Sequence, residues 1–160
     1  MLKAPDHVDG LAELLDVIPE AIIVQTHRDM AEQLGSYMSL GRTTRTLAVR
    51  RLDTAKEADA VLGLTDSSIE RNLSARAKHP GKIIDIRYAD LTADPMGTVE
   101  SIYSSAGIRM SDEQRSSLRA YLAANPKGKH GEHKYDLSDV GLNAEEISLR
   151  YAGYVRKFLG

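Results

Sequence analysis

The stretch "AIIVQTHRDMAEQLGSYMSL", residues 21–40, decides the fold. Its first part, "AIIVQ" over residues 21–25, is a short unbroken apolar and β-branched run. An unbroken run predicts a strand buried on both faces, as in a parallel sheet, whereas a half-exposed strand alternates. Asp29 then predicts the N-cap of a helix reaching to about Leu40, with Gly41 as its stop. Arg28 stands at the exit of the strand, and Ser36 follows eight positions later on the helix. Free N–H groups and the helix dipole favour an anion at such a turn, and the planar guanidinium fork matches phosphate oxygens. Arg and Asp at a helix start also serve capping alone, and residues 25–40 by themselves leave both readings open.

Working outward, "DHVDGLAELLDVIPEA" spaces Val8, Leu11, Leu14, Leu15 and Ile18 as one helix, which Pro19 ends. Downstream, "LDTAKEADAVLGLTDSSIERNLSARAKHPG" predicts a long helix over 54–78, with Val61, Thr65, Ile69, Leu73 and Ala77 as its apolar face. "KIIDIRY", residues 82–88, is a second strand. "TADPMGTVESIYSSAGI" restarts a helix, with Pro95 in its first turn and Val99, Ile102 and Tyr103 facing inward. Ser111 caps "SDEQRSSLRAYLAAN", and Asn143 caps a last helix, "AEEISLRYAGYVRKFLG", whose core stripe is Ile147, Tyr151, Tyr154, Val155 and Phe158. The fold class is therefore α/β, helix-rich, one domain over residues 1–160, with an incomplete parallel sheet.

Composition narrows the function. The formal net charge of −2 and the scarcity of aromatics argue against nucleic acid as a partner. The absence of cysteine excludes disulfides and thiolate chemistry. No apolar run has the length of a membrane span and the N-terminus has no signal-peptide pattern, so a cytoplasmic location is expected.

Two further groups bear on chemistry. "MLKAPDH" places Lys3 before an Ala-Pro turn and His7 four residues on; Lys3 is either an anion ligand at a sheet edge or a solvated lysine. "PKGKHGEHKY", residues 126–135, gathers three lysines and two histidines around two glycines, which suits either a ligand-closing loop or a plain surface loop. His130 and His133 have no evident third ligand, so no metal site is expected. There is no Walker-type Gly-rich loop, no Ser-His-Asp set and no defensible carboxylate pair.

The order "LKAPDH", "IPEAIIVQTHRDM…GS", "IIDIRYADLTADPMGTVESIY", "KGKHGEHKYDLSDVGL" and a last amphipathic helix resembles the C-terminal part of PAPS-dependent sulfotransferases. The likeness is to the bacterial family similar to the tyrosylprotein sulfotransferases, and it runs along essentially all 160 residues. It implies a P-loop-kinase-like sulfotransferase fold and transfer of a sulfuryl group from PAPS (3′-phosphoadenosine 5′-phosphosulfate) to a hydroxyl acceptor, without a metal. Arg28 and Ser36 match the pair that holds the 3′-phosphate, and Tyr88 matches a tyrosine near the adenine. Lys3 matches the lysine at the sulfuryl group and bridging oxygen, and Lys127, Gly128 and Lys129 resemble the loop that closes over the cofactor. Two positions depart from the family pattern: Met30 replaces the usual Pro or Gly after the arginine, and Pro126 replaces the arginine that usually leads the late loop.

The family's Gly-rich loop, similar to "GxPRSGTT", cradles the 5′-phosphosulfate and lies before the lysine motif; it is not found in these 160 residues. The expectation is a C-terminal portion carrying the 3′-phosphate half of the cofactor site, with His7 as the only local stand-in for a general base. Activity then requires a separate N-terminal half or a longer product; the alternative is an inactive fragment that binds PAP (adenosine 3′,5′-bisphosphate) weakly or serves as an interaction module. The acceptor, small molecule, glycan or lipid, is left open. The long helix 54–78 is either the acceptor side or an oligomer face.

Overall fold

The computed structural model describes residues 5–45, 53–126 and 137–160. After a short 3-10 helix (Pro5–Gly10), the chain forms α1 (Leu11–Val17), β1 (Ile23–His27), α2 (Met30–Arg45) and α3 (Thr54–Lys78). It continues through β2 (Ile83–Arg87), α4 (Tyr88–Ala93), α5 (Pro95–Ser105) and α6 (Asp112–Ala124). A second 3-10 turn (Leu137–Val140) leads into α7 (Ala144–Arg150) and α8 (Ala152–Phe158).

β1 and β2 pair in parallel, from Ile23↔Ile83 to His27↔Arg87. Among the described residues this pair is the whole sheet. Its crossover carries two helices, as parallel strands require a long connection. Ile22 and Val24 remain exposed on one side of β1, while His27 on the other is fully buried.

The main core lies between α2, α3 and the C-terminal helices. Met30, Leu34 and Met38 meet Ala58 and Val61 of α3 and Leu142, Ile147 and Tyr151. A smaller seam buries Leu11 and Leu15 of α1, and Ala75 of α3 is buried as well. α1 packs on α3, and Lys78 donates to Asp16 across that contact at 2.5 Å. The starts of α3, α5, α6 and α7 are closed by side chains: Asp53, Asp94, Ser111 with Gln114, and Asn143 each accept or exchange cap hydrogen bonds.

Several sequence expectations are corrected. The strand expected at 21–25 is β1 at Ile23–His27, two residues later. It extends past Gln25 over Thr26 and His27, where partners elsewhere in the fold satisfy the buried His27. The first helix begins as 3-10 and becomes α-helical only at Leu11. α2 does not stop at Gly41 but runs to Arg45; Gly41 is not among the glycines with positive φ, so it continues the helix. The inward face of α3 is Ala58, Val61, Asn72 and Ala75 rather than a line ending at Leu73 and Ala77. Steps of four residues drift by about 40° each on a 3.6-residue helix, so the true stripe mixes steps of three and four. Strand 82–88 ends at Arg87, and Tyr88 opens a helix. The last helix is two segments: at Tyr151 (φ −102, ψ 15) the backbone leaves helical geometry for one residue. The hydrogen bonds Tyr151 N to Ile147 O and Val155 N to Tyr151 O are kept at 3.0 Å.

Candidate functional site

Arg28 leaves the exit of β1 one residue past the last paired position. Its Nε donates to Glu32 Oε2 at 2.8 Å, and its guanidinium carbon lies 4.7 Å from the centroid of the Tyr88 ring. Asp29 closes the turn by accepting from the Glu32 N–H at 3.0 Å. The turn therefore has an anchored guanidinium, a helix N-terminus and an aromatic face within one patch. Tyr88 is placed there by pairing: His27 is the register partner of Arg87, so Arg28 and Tyr88 leave their strands side by side.

Ser36 lies on α2, half-buried, beside the buried Gly35. The eight-residue spacing has a simple helical meaning. Arg28 stands just before α2 and reaches Glu32 in its first turn, and Ser36 lies one turn beyond Glu32 on the helix.

His7 sits on the first 3-10 helix with an exposed side chain. Among the described residues no hydrogen bond joins it to Arg28, Ser36 or Tyr88. Lys3, Lys127, Gly128 and Lys129 lie outside the described residues. The described residues also hold no cluster of metal-binding side chains, and no helix of theirs is long and apolar enough to cross a membrane.

Behind the strand exit is a polar network that local sequence reading missed. His27 Nε2 lies 2.8 Å from Asp85 Oδ1, and His27 Nδ1 lies 2.6 Å from the Tyr154 hydroxyl. The imidazole stacks on Phe158, 4.3 Å between centroids and 5° from parallel. Arg76 of α3 donates to both Asp85 oxygens at 2.5 and 2.9 Å, to Gln25 at 2.8 Å and to Asn72 at 2.7 Å. Its guanidinium also sits 4.8 Å over Phe158. A signal was present in the sequence: Gln25 and His27 share one side of a strand, and Asp85 interrupts an isoleucine-rich one. A polar side chain at such a position needs a buried partner.

The network sets the charge states. Burial pushes the His27 imidazole below its ordinary range, with Arg76 adding to it against the opposing pull of Asp85. Burial pushes Asp85 up, but hydrogen bonds from Arg76 and His27 outweigh it, so the carboxyl is held low. Burial raises the Tyr154 hydroxyl to about 12. A histidine with a depressed folded pKa takes up its proton more readily when unfolded, so it favours folding above the unfolded value and less below it. Urea unfolding is therefore expected to show stability falling as pH drops below about 6.5. Loss of the low-lying carboxylates adds to the fall only below about pH 4. His27→Gln should remove the first fall and keep the second; an unchanged first fall would assign it to another group.

Fold and turn together define an α/β protein with an arginine-bearing strand exit suited to an oxyanion. Residues 1–112 match the sulfotransferase family, and the chain belongs to that family. Two solved structures are similar along nearly the whole chain. One is sulfotransferase STF9 from Mycobacterium avium, at TM-score 0.87 and 27% identity over 98% of this chain and 41% of that one. The other is sulfotransferase STF1 from Mycobacterium tuberculosis H37Rv, at TM-score 0.78 and 33% identity over 95% of this chain and 39% of that one. The chain thus spans about two fifths of their length. No curated protein sequence matches it. The expected fold, a helix-rich sulfotransferase α/β fold with a small parallel sheet, is the observed one. The family match stops at residue 112, whereas the structural likeness extends over 98% of the chain.

Proposed function

We propose that this chain carries the 3′-phosphoadenosine half of a PAPS site in a sulfotransferase that acts on a hydroxyl acceptor. The observation that carries the reading is Arg28, held at the strand exit against Tyr88 just before the helix that bears Ser36. The guanidinium and the α2 N-terminus supply positive potential for a phosphate dianion. Ser36 adds a hydroxyl donor, and Tyr88 adds an aromatic face toward the base. PAPS, when bound, supplies the sulfuryl group and the leaving phosphate. Lys3 is assigned to charge stabilisation at the bridging oxygen, Lys127, Gly128 and Lys129 to closure over the nucleotide, and His7 to proton removal from the acceptor. On this reading the chain alone binds PAP and turns over little. The cradle for the 5′-phosphosulfate, in the pattern it resembles, comes from a Gly-rich loop that these 160 residues do not contain.

Calorimetric titration tests the reading. PAP is expected to bind at least about tenfold more tightly than AMP, which lacks the 3′-phosphate, because a charged hydrogen-bond partner contributes about 1.5–3 kcal/mol. Equal affinity for the two nucleotides would exclude a 3′-phosphate site.

Glu32 gives a smaller and opposite effect. Its carboxylate holds Arg28 at 2.8 Å and stands where an incoming anion must compete. Both side chains are substantially exposed, so the pair itself contributes only about 0.2–1 kcal/mol. Glu32→Gln is expected to tighten PAP binding by roughly two- to fivefold, and weaker binding would show Glu32 to be needed for orienting the arginine.

A further inference from the structure

Among the described residues, His27 is a buried polar side chain with 0% exposure, and it immediately precedes Arg28. We propose that His27 is the positioning residue for Arg28: clamped between β2 and α8, it sets the direction in which the chain leaves β1 and so the place of the guanidinium against Tyr88. This rests on Arg28 being the 3′-phosphate ligand.

The geometry has three parts. First, both ring nitrogens are engaged from opposite sides, by Asp85 of β2 and Tyr154 of α8, while Phe158 stacks on the ring face. An ionised carboxylate only accepts, so Nε2 carries the hydrogen and Nδ1 accepts from the Tyr154 O–H. His27 is thus the neutral Nε2–H tautomer with both hydrogen bonds satisfied. Second, successive side chains in a strand point to opposite faces. With His27 anchored inward at three points, Arg28 is directed to the other side, where Tyr88 lies. Third, the anchor and the stacking partner share a strand end: Asp85 is three residues before Tyr88 on the chain that leaves β2. Movement of the histidine clamp therefore shifts Arg28 relative to Tyr88. The groups facing the imidazole are Asp85 from β2, Arg76 from α3 and Tyr154 from α8.

A merely structural histidine would lower stability and leave the affinity of the folded protein unchanged. A positioning histidine lowers affinity while the protein is fully folded. PAP is titrated by calorimetry into the wild type, Arg28→Ala, His27→Phe and His27→Gln, at a temperature where circular dichroism shows each folded. His27→Phe keeps a flat ring against Phe158 and loses both hydrogen bonds; about tenfold weaker binding is expected, the scale on which outer supports of a ligand act. His27→Gln offers an N–H and a carbonyl and should recover part of the loss. The imidazole ¹⁵N spectrum of the wild type should show the Nε2–H tautomer; a protonated Nδ1 would overturn the assigned clamp. Weak binding by Arg28→Ala with wild-type affinity in His27→Phe would overturn the positioning role and leave the anion site standing. Wild-type affinity in Arg28→Ala, or no PAP binding at all, would overturn the anion site and the positioning role with it. If His27→Phe does not fold, Tyr154→Phe replaces it: loss of one hydroxyl should weaken binding about threefold, and unchanged affinity would overturn the clamp.

Discussion

Arg28→Ala is expected to weaken PAP binding by roughly 30- to 150-fold, the equivalent of about 2–3 kcal/mol for a charged hydrogen-bonding partner. The loss has three sources: the Coulomb attraction, the hydrogen bonds of the fork, and the cation stacked on Tyr88 at 4.7 Å. The side chain is 36% exposed, which screens the charge and argues for the lower part of that range. Arg28→Lys separates the terms. It keeps the charge but not the planar fork, so an intermediate affinity is expected. The same mutation should leave thermal stability nearly unchanged, since the Arg28–Glu32 pair is exposed. Unaltered PAP affinity in Arg28→Ala would remove the residue from the site.

Arg76→Met is expected to cost about 2–4 kcal/mol of folding stability. Arg76 sits in the interior with 16% of its side chain exposed and answers Asp85, Gln25 and Asn72 at once. Its loss leaves Asp85 with His27 alone and removes a donor from each of the two amides. Asp85 is 39% exposed, so water recovers part of the deficit, and the cost stays below that of a fully buried broken pair. For a chain of this length the melting temperature should fall by about 5–15 °C. Adding Asp85→Leu to Arg76→Met should restore part of the stability, because an apolar pair of similar volume replaces the stranded charge. A cost under about 1 kcal/mol for Arg76→Met would mean that the network does not hold the sheet to α3.

Much of the fold was legible because its signals are local. The caps at Asp29, Ser111 and Asn143, the long α3 and the two strands follow from short patterns. The spacing of Arg28 and Ser36 and the resemblance at Tyr88 single out residues at the strand exits, and of these the structure brings Arg28 and Tyr88 together. What sequence reading missed was non-local. Nothing near His27 announces Tyr154, which lies 127 positions away, or Asp85, 58 positions away. The end of β1 was misplaced for the same reason: its polar residues belong to the strand only because distant partners satisfy them. The helix break at Tyr151 has no local signal, because the apolar spacing passes straight through it.

The parallel register also governs how the chain reaches this state. Ile23 and Ile83 are sixty residues apart, so the first strand hydrogen bond closes a long loop at an entropic cost of about 3–4 kcal/mol. Short-range helices form on far faster timescales than such a closure. The strand exits that carry Arg28 and Tyr88 therefore come together late in folding. A refolding chain should regain most of its helical signal before the nucleotide affinity proposed for it, and a folding intermediate would be a helical protein with Arg28 and Tyr88 still apart.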